Sequence, residues 1–413
     1  MDFKEALEFI YKFKDWERGG HYKFDLSSFR RFLEQIGSPH SKVRMPVLVA
    51  GTKGKGSTVH ILSSIFSKLG KTGTFTSPHL VNIRERIRVN NTPIPEYDFV
   101  QILQEIKPFL TGERTTFEIL TSLAFIYFMR ERTDFSVFEV GLGGNFDATN
   151  VLTPEISILT PVSFDHTDVL GNTLTAIAGE KCGIIREGGN VVSSPQDTEV
   201  LELIKETCKS MGAKLLVIGE DLFCTNTECD SNGSKFRVKG EEYFLPLLGR
   251  HQVINALTAI CAAQVCGVSD AIIKEGLKDI KSHGRLEIVG KKPWIVFDGA
   301  HNVASAWVLR RAITELFNFR HLFLVFGVLK DKDIDGIIRV LAPITDYALI
   351  TPLQSERSSD PHKLIEIFKR EGIEAQVAKN SMSALKLAKE KTHPSDLILV
   401  TGSLYLIGEL LSS

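Results

Sequence analysis

One stretch of fourteen residues, V-L-V-A-G-T-K-G-K-G-S-T-V-H at 47–60, restricts the possible folds of this chain more than any other. Its four apolar residues lead directly into Gly51, Gly54 and Gly56, and an apolar-periodic segment covers 59–69. This order predicts a buried strand, a glycine-rich turn and a helix. Such a turn is typical of α/β domains in which backbone amides face a bound anion.

The other residues of this turn favour a polyphosphate as the anion. Lys55 supplies a positive charge, the N-terminus of the following helix adds positive potential, and Ser57 or Thr58 offers a hydroxyl to Mg²⁺. The spacing differs from the common G-x-x-x-x-G-K-[ST] loop, because Gly56 separates Lys55 from Ser57. A glycine turn without a ligand is the alternative, but the strand, turn and helix signals together favour phosphate binding.

Composition and charge argue against several classes of partner. The 413 residues are 43% hydrophobic, enough for two or three cores, and 49 Lys and Arg nearly balance 50 Asp and Glu. We therefore expect neither a nucleic-acid nor a membrane partner. The apolar segment 119–129 is too short to span a bilayer and predicts a buried helix. The first ten residues lack the pattern of a secretion signal, so we expect a cytoplasmic protein.

Alternating strand and helix signals predict two α/β domains. The predicted strands cover 47–50, 73–76, 135–140, 155–160, 190–194 and 214–219 in the first domain, and 293–298, 321–327, 347–351, 375–378 and 397–402 in the second. Nearly continuous apolar strands separated by helices indicate mostly parallel sheets. Segments resembling hairpins occupy 223–247. We place the domains at 1–288 and 289–413, with a crevice between them.

Polar residues at predicted strand ends are candidates for the rest of the site, because these ends meet at one edge of a parallel sheet. Glu139 interrupts an apolar strand, where a buried carboxylate requires a cation or a lysine partner; a Glu in water at the strand end is the alternative. His166, on a loop, is equally compatible with a surface histidine. Lys181, on a predicted helix, is by itself typical of a solvated face. As a set, these groups suit Mg²⁺ or a substrate.

Ten short motifs occur in order along almost the whole chain. They are G-T-K-G-K-G-S, S-P-H-L-x-x-x-R-E-R-I, F-E-x-x-T, E-V-G-L-G-G-x-x-D-A-T-N, D-H-x-x-x-L-G, E-K-x-G-I-I, H-Q-x-x-N-A, G-R-L-E, D-G-A-H-N and T-G-S-L-Y-L. On these motifs the chain resembles the folylpolyglutamate synthases, including bifunctional dihydrofolate synthase/folylpolyglutamate synthases, within the Mur-ligase-like ATP-dependent amide ligases. The resemblance implies an α/β fold: a P-loop central domain with a mostly parallel sheet, then a smaller Rossmann-like C-terminal domain.

The resemblance also implies which residues hold ATP and metal ions. Ser77, Glu139 and His166 would coordinate Mg²⁺, while Lys181 matches a lysine that family members carbamylate to support a second metal; K⁺ is a further implied ion. The residues implied to bind ATP are Gly51, Thr52, Gly54, Lys55, Gly56, Ser57, Asn255, Arg285 and Asp298. The implied catalytic residues are Lys55, Lys181 and His301.

Two substrate sites follow from the same resemblance. The residues implied to contact a pterin are Phe24, Asp25, Leu26, Thr116, Phe117, Glu118, Phe146, Asp147 and Ala148. The glutamate substrate would lie near His301 and Ser403. All expected partners are small molecules, namely ATP, L-glutamate, dihydropteroate and reduced folates, and the resemblance favours a monomer.

The implied reaction is ATP-dependent ligation of glutamate to a pterin carboxylate through an acyl phosphate, with ATP bound across the crevice between the domains. D-A-T-N, in place of the D-C-T-N of eukaryotic enzymes restricted to chain extension, favours retained dihydrofolate synthase activity. Three departures from the family bear on substrate preference: Lys53 replaces a usual Asn, Asn145 a common Arg, and F-D-L-S-S-F-R the usual I-D-L-G-L-x-R.

Several alternatives remain open at this point. The enzyme could have only one of the two activities, or act on another acid such as a cell-wall precursor, although the pterin-type segments at 116–118 and 146–148 argue against the latter. A nucleotide-binding regulatory protein or a mechanical ATPase of related fold is a different class. The regulatory protein is disfavoured because the implied metal ligands are all present, and the mechanical ATPase because the D-G-A-H-N domain lacks an evident oligomer-facing arginine motif.

Overall fold

The chain folds into two compact units. The structure, a computed structural model, describes residues 1–14, 25–280 and 282–412. The first unit comprises Met1–Thr227, Phe236–Phe244 and Gln252–Ile280, and the second comprises Glu228–Lys235, Leu245–His251 and Lys281–Ser413. The predicted pterin residue Phe24 lies outside the described residues. The predicted domain boundary at 288/289 stays a prediction.

An eight-stranded sheet forms the centre of the first unit. Its strands are β1 (Pro46–Ala50), β2 (Thr72–Phe75), β3 (Ile87–Val89), β4 (Thr92–Pro93), β5 (Phe135–Glu139), β6 (Ile156–Leu159), β7 (Asn190–Ser193) and β8 (Lys214–Val217). They lie in the order β4-β3-β2-β5-β1-β6-β7-β8. From β2 to β8 all neighbours are parallel. All six strands predicted for this region are confirmed.

Ten helices accompany this sheet among the described residues. They are α1 (Phe3–Ile10), α2 (Ser27–Gln35), α3 (Lys55–Phe66), α4 (Glu96–Ile106), α5 (Thr116–Glu131), α6 (Thr167–Leu170), α7 (Leu174–Cys182), α8 (Thr198–Ser210), α9 (Arg250–Val265) and α10 (Asp270–Lys278). Helix α5 is the predicted buried helix. Thr115 and Glu118 form a capping box at its start, and nearly all of its length is buried in the main core.

The antiparallel strands β3 and β4 were not predicted from the sequence. They are only three and two residues long and pair with each other beyond β2. Asn90 and Asn91 join them, and both have positive φ values of 48° and 63°. Two consecutive left-handed residues are the signature of a tight hairpin turn, and Asn tolerates this conformation well. The N-N dipeptide was the available signal.

A six-stranded sheet forms the centre of the second unit. Its strands are β12 (Glu287–Lys291), β13 (Trp294–Phe297), β14 (Leu322–Phe326), β15 (Tyr347–Ile350), β16 (Glu374–Val377) and β17 (Leu397–Thr401), and its helices are α11 (Val303–Leu316), α12 (Ile334–Leu341), α13 (Pro361–Arg370), α14 (Ser381–Lys391) and α15 (Leu404–Leu411). The order is β12-β13-β17-β14-β15-β16, and only β12 is antiparallel. The five strands predicted here are confirmed.

The segment between these two sheets forms a small sheet of its own. It contains β9 (Thr225–Asp230), β10 (Gly233–Val238) and β11 (Glu241–Leu245), in the order β11-β10-β9. This confirms the hairpins predicted for 223–247. Within the residues that the structure describes, every helix is too short or too polar to traverse a bilayer.

Candidate active site

The glycine-rich turn connects β1 to α3, as predicted. Gly54 is the residue before α3 and has φ +84°. A Cβ on Gly54 would stand 2.3 Å from Asn255 Oδ1, and one on Gly51 would stand 1.9 Å from Thr160 Oγ1. A side chain at either position would therefore require a neighbouring residue to move. The same contact brings the predicted ATP residue Asn255 directly against the turn.

Hydrogen bonds join the turn to the loop that follows β6. The amides of Thr52 and Lys53 donate to the Pro161 carbonyl at 3.0 and 3.2 Å. Thr52 Oγ1 donates to the Ser163 carbonyl and accepts from the Ser163 amide, each at 3.0 Å. The sequence reading missed this connection, in which Thr52 makes contacts typical of a structural clamp. Lys53 is partly buried, and this burial lowers its pKa while the Asp165 charge opposes the shift.

Glu139, at the end of β5, lies beside the turn. It is 5% exposed, and its Oε2 accepts a hydrogen bond from the Ser77 amide at 3.2 Å. A Cβ on Gly56 would stand 3.3 Å from the same Oε2. The Glu139 carboxylate therefore borders the glycine-rich turn of residues 51–57, the proposed phosphate turn, and Ser77 lies next to it. Oxygen donors in this position fit a divalent cation that also binds phosphate oxygens.

The predicted third ligand, His166, is less buried. Its side chain is 44% exposed, its Nε2 lies 3.8 Å from Asp165 Oδ1, and its backbone is left-handed with φ 49°. The described residues contain no group of three or more His, Cys, Asp or Glu side chains arranged for a metal. The predicted set, Ser77, Glu139 and His166, includes a serine and only two such side chains, so it is not a group of that kind. The metal ligands stay a prediction.

Lys181 lies near the end of α7 and is 5% exposed. Burial, and next the neighbouring Lys55 charge, lower the pKa of Lys181 to about 7, whereas Asp165 and Asp147 act in the opposite direction. The charges of Lys55, in the turn, and of Asp165, in the loop after β6, therefore both act on Lys181. An amine with such a pKa is largely neutral at moderately alkaline pH and can act as a nucleophile. The interpretation of Lys181, taken by itself, as a lysine on a solvated face is wrong, because its side chain is buried.

The loop after β5 packs tightly on α7. A Cβ on Gly144 would stand 2.6 Å from the Glu180 carbonyl, and one on Gly183 would stand 2.5 Å from Asn145 Cα. The amide of Asn145 donates to the Glu180 carbonyl at 2.8 Å. Asn145 itself is exposed. The G-L-G-G and E-K-x-G motifs are therefore two sides of one contact that holds Lys181 in place.

Two of the predicted pterin segments meet at this loop. A Cβ on Gly141 would stand 2.7 Å from Phe117 Cζ, so the Phe117 ring lies against the loop backbone. Asp147 Oδ2 accepts from the amides of Gly141 and Leu142 at 3.0 Å each, while its Oδ1 accepts from the Thr149 amide and hydroxyl. Burial raises the pKa of Asp147, and these hydrogen bonds oppose the shift. The observed contacts of Asp147 therefore shape the loop, and its contact with a substrate stays a prediction.

The other members of the pterin set have different surroundings. Thr116 and Glu118 lie in the first turn of α5 and are 4% and 6% exposed. Asp25 is exposed and accepts from the Ser27 amide and hydroxyl. Leu26 immediately precedes α2 and is partly buried against the main core. The remaining two, Phe146 and Ala148, flank Asp147 on the loop.

In the second unit, Arg285 precedes β12, Asp298 and His301 follow β13, and Ser403 follows β17. Asp298 is partly buried, and its two carboxylate oxygens accept from the Leu286 and Ala300 amides at 2.9 Å. Burial raises the pKa of Asp298, and the Arg285 charge opposes this. His301 Nδ1 lies 2.8 Å from the Gly299 carbonyl. These contacts hold the G-R-L-E and D-G-A-H-N motifs together.

Ser403 has an observed structural role. It is 2% exposed, and its hydroxyl accepts from the Tyr405 amide at 3.1 Å as the N-cap of α15. The sequence did not indicate this cap, although a serine before an apolar helix is a usual cap signal. A contact between Ser403 and glutamate stays a prediction.

Two further polar residues of the site were missed by the sequence reading. Gln252 is 1% exposed, and its Oε1 accepts from Asn255 Nδ2 at 3.0 Å, which fixes the amide orientation of Asn255. The spacing of three residues within H-Q-V-I-N was the available signal. Asp165 is the acidic residue whose charge most raises the pKa of both Lys53 and Lys181, against the effect of burial. Its place in the D-H motif pointed to the same loop.

Comparison with known proteins identifies the family of this chain. Residues 49–263 match the Mur ligase middle domain, and residues 284–404 match the Mur ligase glutamate ligase domain. A dihydrofolate synthase/folylpolyglutamate synthase of Bacillus subtilis (strain 168) is 33% identical over 410 residues, covering 93% of this chain and 94% of the relative. The chain belongs to the folylpolyglutamate synthase family of Mur ligases. As a member of that family it is an ATP-dependent ligase, and the predicted α/β fold class is confirmed.

Solved structures show the same fold over the full length. E. coli FolC in complex with DHPP and ADP has a TM-score of 0.88 and 27% identity, covering 100% of this chain and 97% of that one. A bifunctional folylpolyglutamate synthase/dihydrofolate synthase with Mn, AMPPNP and L-glutamate bound has a TM-score of 0.86 and 25% identity, covering 100% and 98%. The fold of family members therefore extends across both units of this chain.

Proposed function

We propose that this enzyme joins L-glutamate to dihydropteroate, and to reduced folates, at the expense of ATP. The observation that carries the proposal is the row of groups at one sheet edge: the phosphate turn, Glu139 against Gly56, and buried Lys181 beside Lys55. Phe117 against Gly141 supplies an aromatic surface next to that row. Relatives named for both activities, and one bound to DHPP and ADP, support this choice of substrates.

The chemistry follows from the carboxylate, which is a poor acyl electrophile because oxide is a poor leaving group. The acceptor carboxylate attacks the γ-phosphorus of ATP, the bond to the bridging oxygen of ADP breaks, and an acyl phosphate forms. The glutamate amine then attacks the acyl carbon, phosphate leaves, and the amine loses a proton to give an amide. Stabilising charge on the transferred group is the main task of the protein.

Each residue near the turn has a proposed role in that transfer. Lys55 and the backbone amides of the turn bind the ATP phosphates. Ser77, Glu139 and His166 hold Mg²⁺, which when bound supplies positive charge to the phosphate oxygens. The Mn-containing relative supports a divalent cation here. K⁺ is proposed as a further ion.

For Lys181 we propose carbamylation. A neutral amine is required, since the nitrogen lone pair attacks the carbon of CO₂ and the nitrogen then loses a proton. The lowered pKa of Lys181, about 7, supports the presence of that neutral form. The resulting carbamate carries a negative charge beside the positive charge of Lys55. In the unmodified protein, that positive charge disfavours the ammonium form of Lys181. Intact-protein mass with and without bicarbonate tests the modification.

The remaining predicted residues complete the proposal. Asn255, Arg285 and Asp298 contribute to ATP binding, and His301 with Ser403 to glutamate binding. The pterin acceptor contacts the segments 25–26, 116–118 and 146–148. The enzyme is proposed to act as a monomer in the cytoplasm.

The decisive experiment measures ADP release with Mg²⁺ and L-glutamate, using dihydropteroate, tetrahydrofolate or no acceptor, and determines product masses. Turnover with both acceptors and a gain of one glutamate establishes the bifunctional ligase. Turnover with a single acceptor assigns one activity. ATP binding without acceptor-dependent turnover contradicts the proposal and favours another acid substrate or a non-catalytic role.

A further inference from the structure

Arg114 is a buried arginine that neither the sequence motifs nor the proposed mechanism uses. It precedes α5, and only 3% of its side chain is exposed. Burying a guanidinium is costly unless its charge and its N–H groups find partners. The partners of Arg114 therefore indicate what this residue holds together.

Apart from the exposed Glu113, whose Oε2 lies 3.9 Å from Nη2, those partners lie on two elements that border the proposed pterin site. Nη2 donates to Ser28 Oγ at 2.5 Å, and the guanidinium carbon lies 5.6 Å from the centre of the Phe32 ring, both on α2. Nη1 lies 3.6 Å from Glu118 Oε1, on α5. Arg114 thus joins α2, which follows Asp25 and Leu26, to the first turn of α5.

Glu118 is itself tied to the start of α5. Its Oε2 accepts from the Thr115 amide at 2.8 Å, and its amide donates to Thr115 Oγ1 at 3.1 Å. The neighbouring Thr116 amide donates to the Lys14 carbonyl at 2.9 Å. The chain before α2 and the chain of α2 itself are therefore both attached to residues 114–116. Arg114 makes the attachment to α2.

Within the described part of the chain, Nη1 of Arg114 makes an ion pair and no hydrogen bond. Among the described residues Nη1 has no hydrogen-bond partner, because 3.6 Å to Glu118 is an ion-pair distance and too long for a hydrogen bond. The contacts of Arg114 with Ser28, Phe32 and Glu118 lie beside the proposed substrate segments, and they connect this arginine with the acceptor site.

We propose that Arg114 is a positioning residue that sets the separation of the two pterin segments, 25–26 and 116–118. It fixes α2 through Ser28 and Phe32 and orients Glu118 by charge. The inference rests on the proposed function, because it concerns the site of the pterin acceptor. ATP and glutamate are proposed to bind at other residues, so their binding is expected to be independent of Arg114.

The test compares Michaelis constants of Arg114→Met, Ser28→Ala and the double variant, with Arg44→Met as a control. Arg44 is a surface arginine, 64% exposed, that pairs with Asp134. We expect Arg114→Met to raise KM for dihydropteroate on the order of tenfold, the value of one lost charge-assisted hydrogen bond. KM for ATP and for glutamate should stay within about twofold, as expected when only acceptor binding is changed. Arg44→Met should change none of them.

The double variant tests the route of the effect. If Arg114 acts through Ser28, the two substitutions should be less than additive, since they remove the same contact. Arg114→Lys keeps the charge near Glu118 but lacks the planar fork, so partial rescue is expected. If Arg114→Met does not fold, Ser28→Ala alone must still raise KM for dihydropteroate selectively.

Three outcomes overturn the inference. The first is an equal KM for dihydropteroate in Arg114→Met and in the wild type. The second is a parallel rise in the KM values for dihydropteroate, ATP and glutamate, which indicates general damage to the fold. An unchanged KM in Ser28→Ala contradicts the route through α2. In each of these cases turnover of the wild type leaves the proposed function intact. A wild-type enzyme without acceptor-dependent turnover removes both the function and the inference.

Discussion

Replacing Gly54 with alanine tests whether the phosphate turn depends on the contact with Asn255. The new Cβ would stand 2.3 Å from Asn255 Oδ1 and 3.1 Å from Asn255 Cγ. Asn255 is 4% exposed and bonded to Gln252, so moving its amide breaks that hydrogen bond. The left-handed φ of +84° adds a second cost. A left-handed alanine costs about 1 kcal/mol, and one lost hydrogen bond costs about 1 kcal/mol.

We therefore expect Gly54→Ala to lower the free energy of unfolding by about 2 kcal/mol, summing these two contributions. Urea unfolding followed by circular dichroism measures the change. Gly188→Ala is the matched control, because Gly188 has φ +65° but open space around its Cβ position, so only about 1 kcal/mol is expected. In an Asn255→Ala background the cost of Gly54→Ala should also fall to about 1 kcal/mol.

The reasoning is refuted if Gly54→Ala is no more destabilising than Gly188→Ala. It is also refuted if the cost of Gly54→Ala is the same with and without the Asn255 side chain. Either result would mean that the close approach of Asn255 to the turn contributes nothing to stability.

Three other substitutions test separate parts of the site. Burial lowers the pKa of Lys181 from 10.5 to about 7, so between these pH values the unfolded chain binds more protons than the folded chain. The wild type should therefore gain stability relative to Lys181→Met as the pH rises from 7 to 10. Urea unfolding at several pH values checks this, and parallel curves of stability against pH for the two proteins would contradict it. Glu139→Gln keeps an acceptor for the Ser77 amide but removes the negative charge. The rate of ADP release should therefore fall on the order of a hundredfold, while the melting temperature stays unchanged. Activity near that of the wild type would show that Glu139 does not belong to the metal site. Asp147→Asn replaces one of two carboxylate oxygens, each of which accepts two hydrogen bonds, by an NH₂ donor. The free energy of unfolding measured by urea titration should therefore drop by about 2 kcal/mol. A drop below about 0.5 kcal/mol would show that the carboxylate does not hold the loop.

The sequence predicted the strands well because most are short apolar runs buried on both faces of a parallel sheet. β1 is the clearest example, with all five residues buried. β3 and β4 escaped prediction, since strands of three and two residues carry no period and depend on the two left-handed asparagines between them. Helix α5 could be predicted from the length of its apolar segment, but the capping box at its start was not predicted.

Prediction of the site was more limited, for a different physical reason. The phosphate turn is a local feature, so its residues could be identified from the chain alone. The surroundings of Lys181 are not local: its burial results from close packing of Gly144 and Gly183, which belong to separate motifs. The clamp between Thr52 and Ser163 joins residues 111 positions apart, and no single-sequence pattern indicates it.

The strand order gives the site a particular place in the folding of the chain. Strands β2, β5, β1 and β6 are consecutive in the sheet, yet Ser77 and Glu139 are 62 positions apart in sequence. The phosphate turn can form as soon as β1 and α3 exist, whereas its neighbours arrive only after β5 and β6 have paired with β1. Such long-range pairings are late and slow events. We therefore expect a nascent or truncated chain to contain the glycine-rich turn without the groups that surround it in the complete sheet, and we expect nucleotide to stabilise the complete chain more than the truncated one.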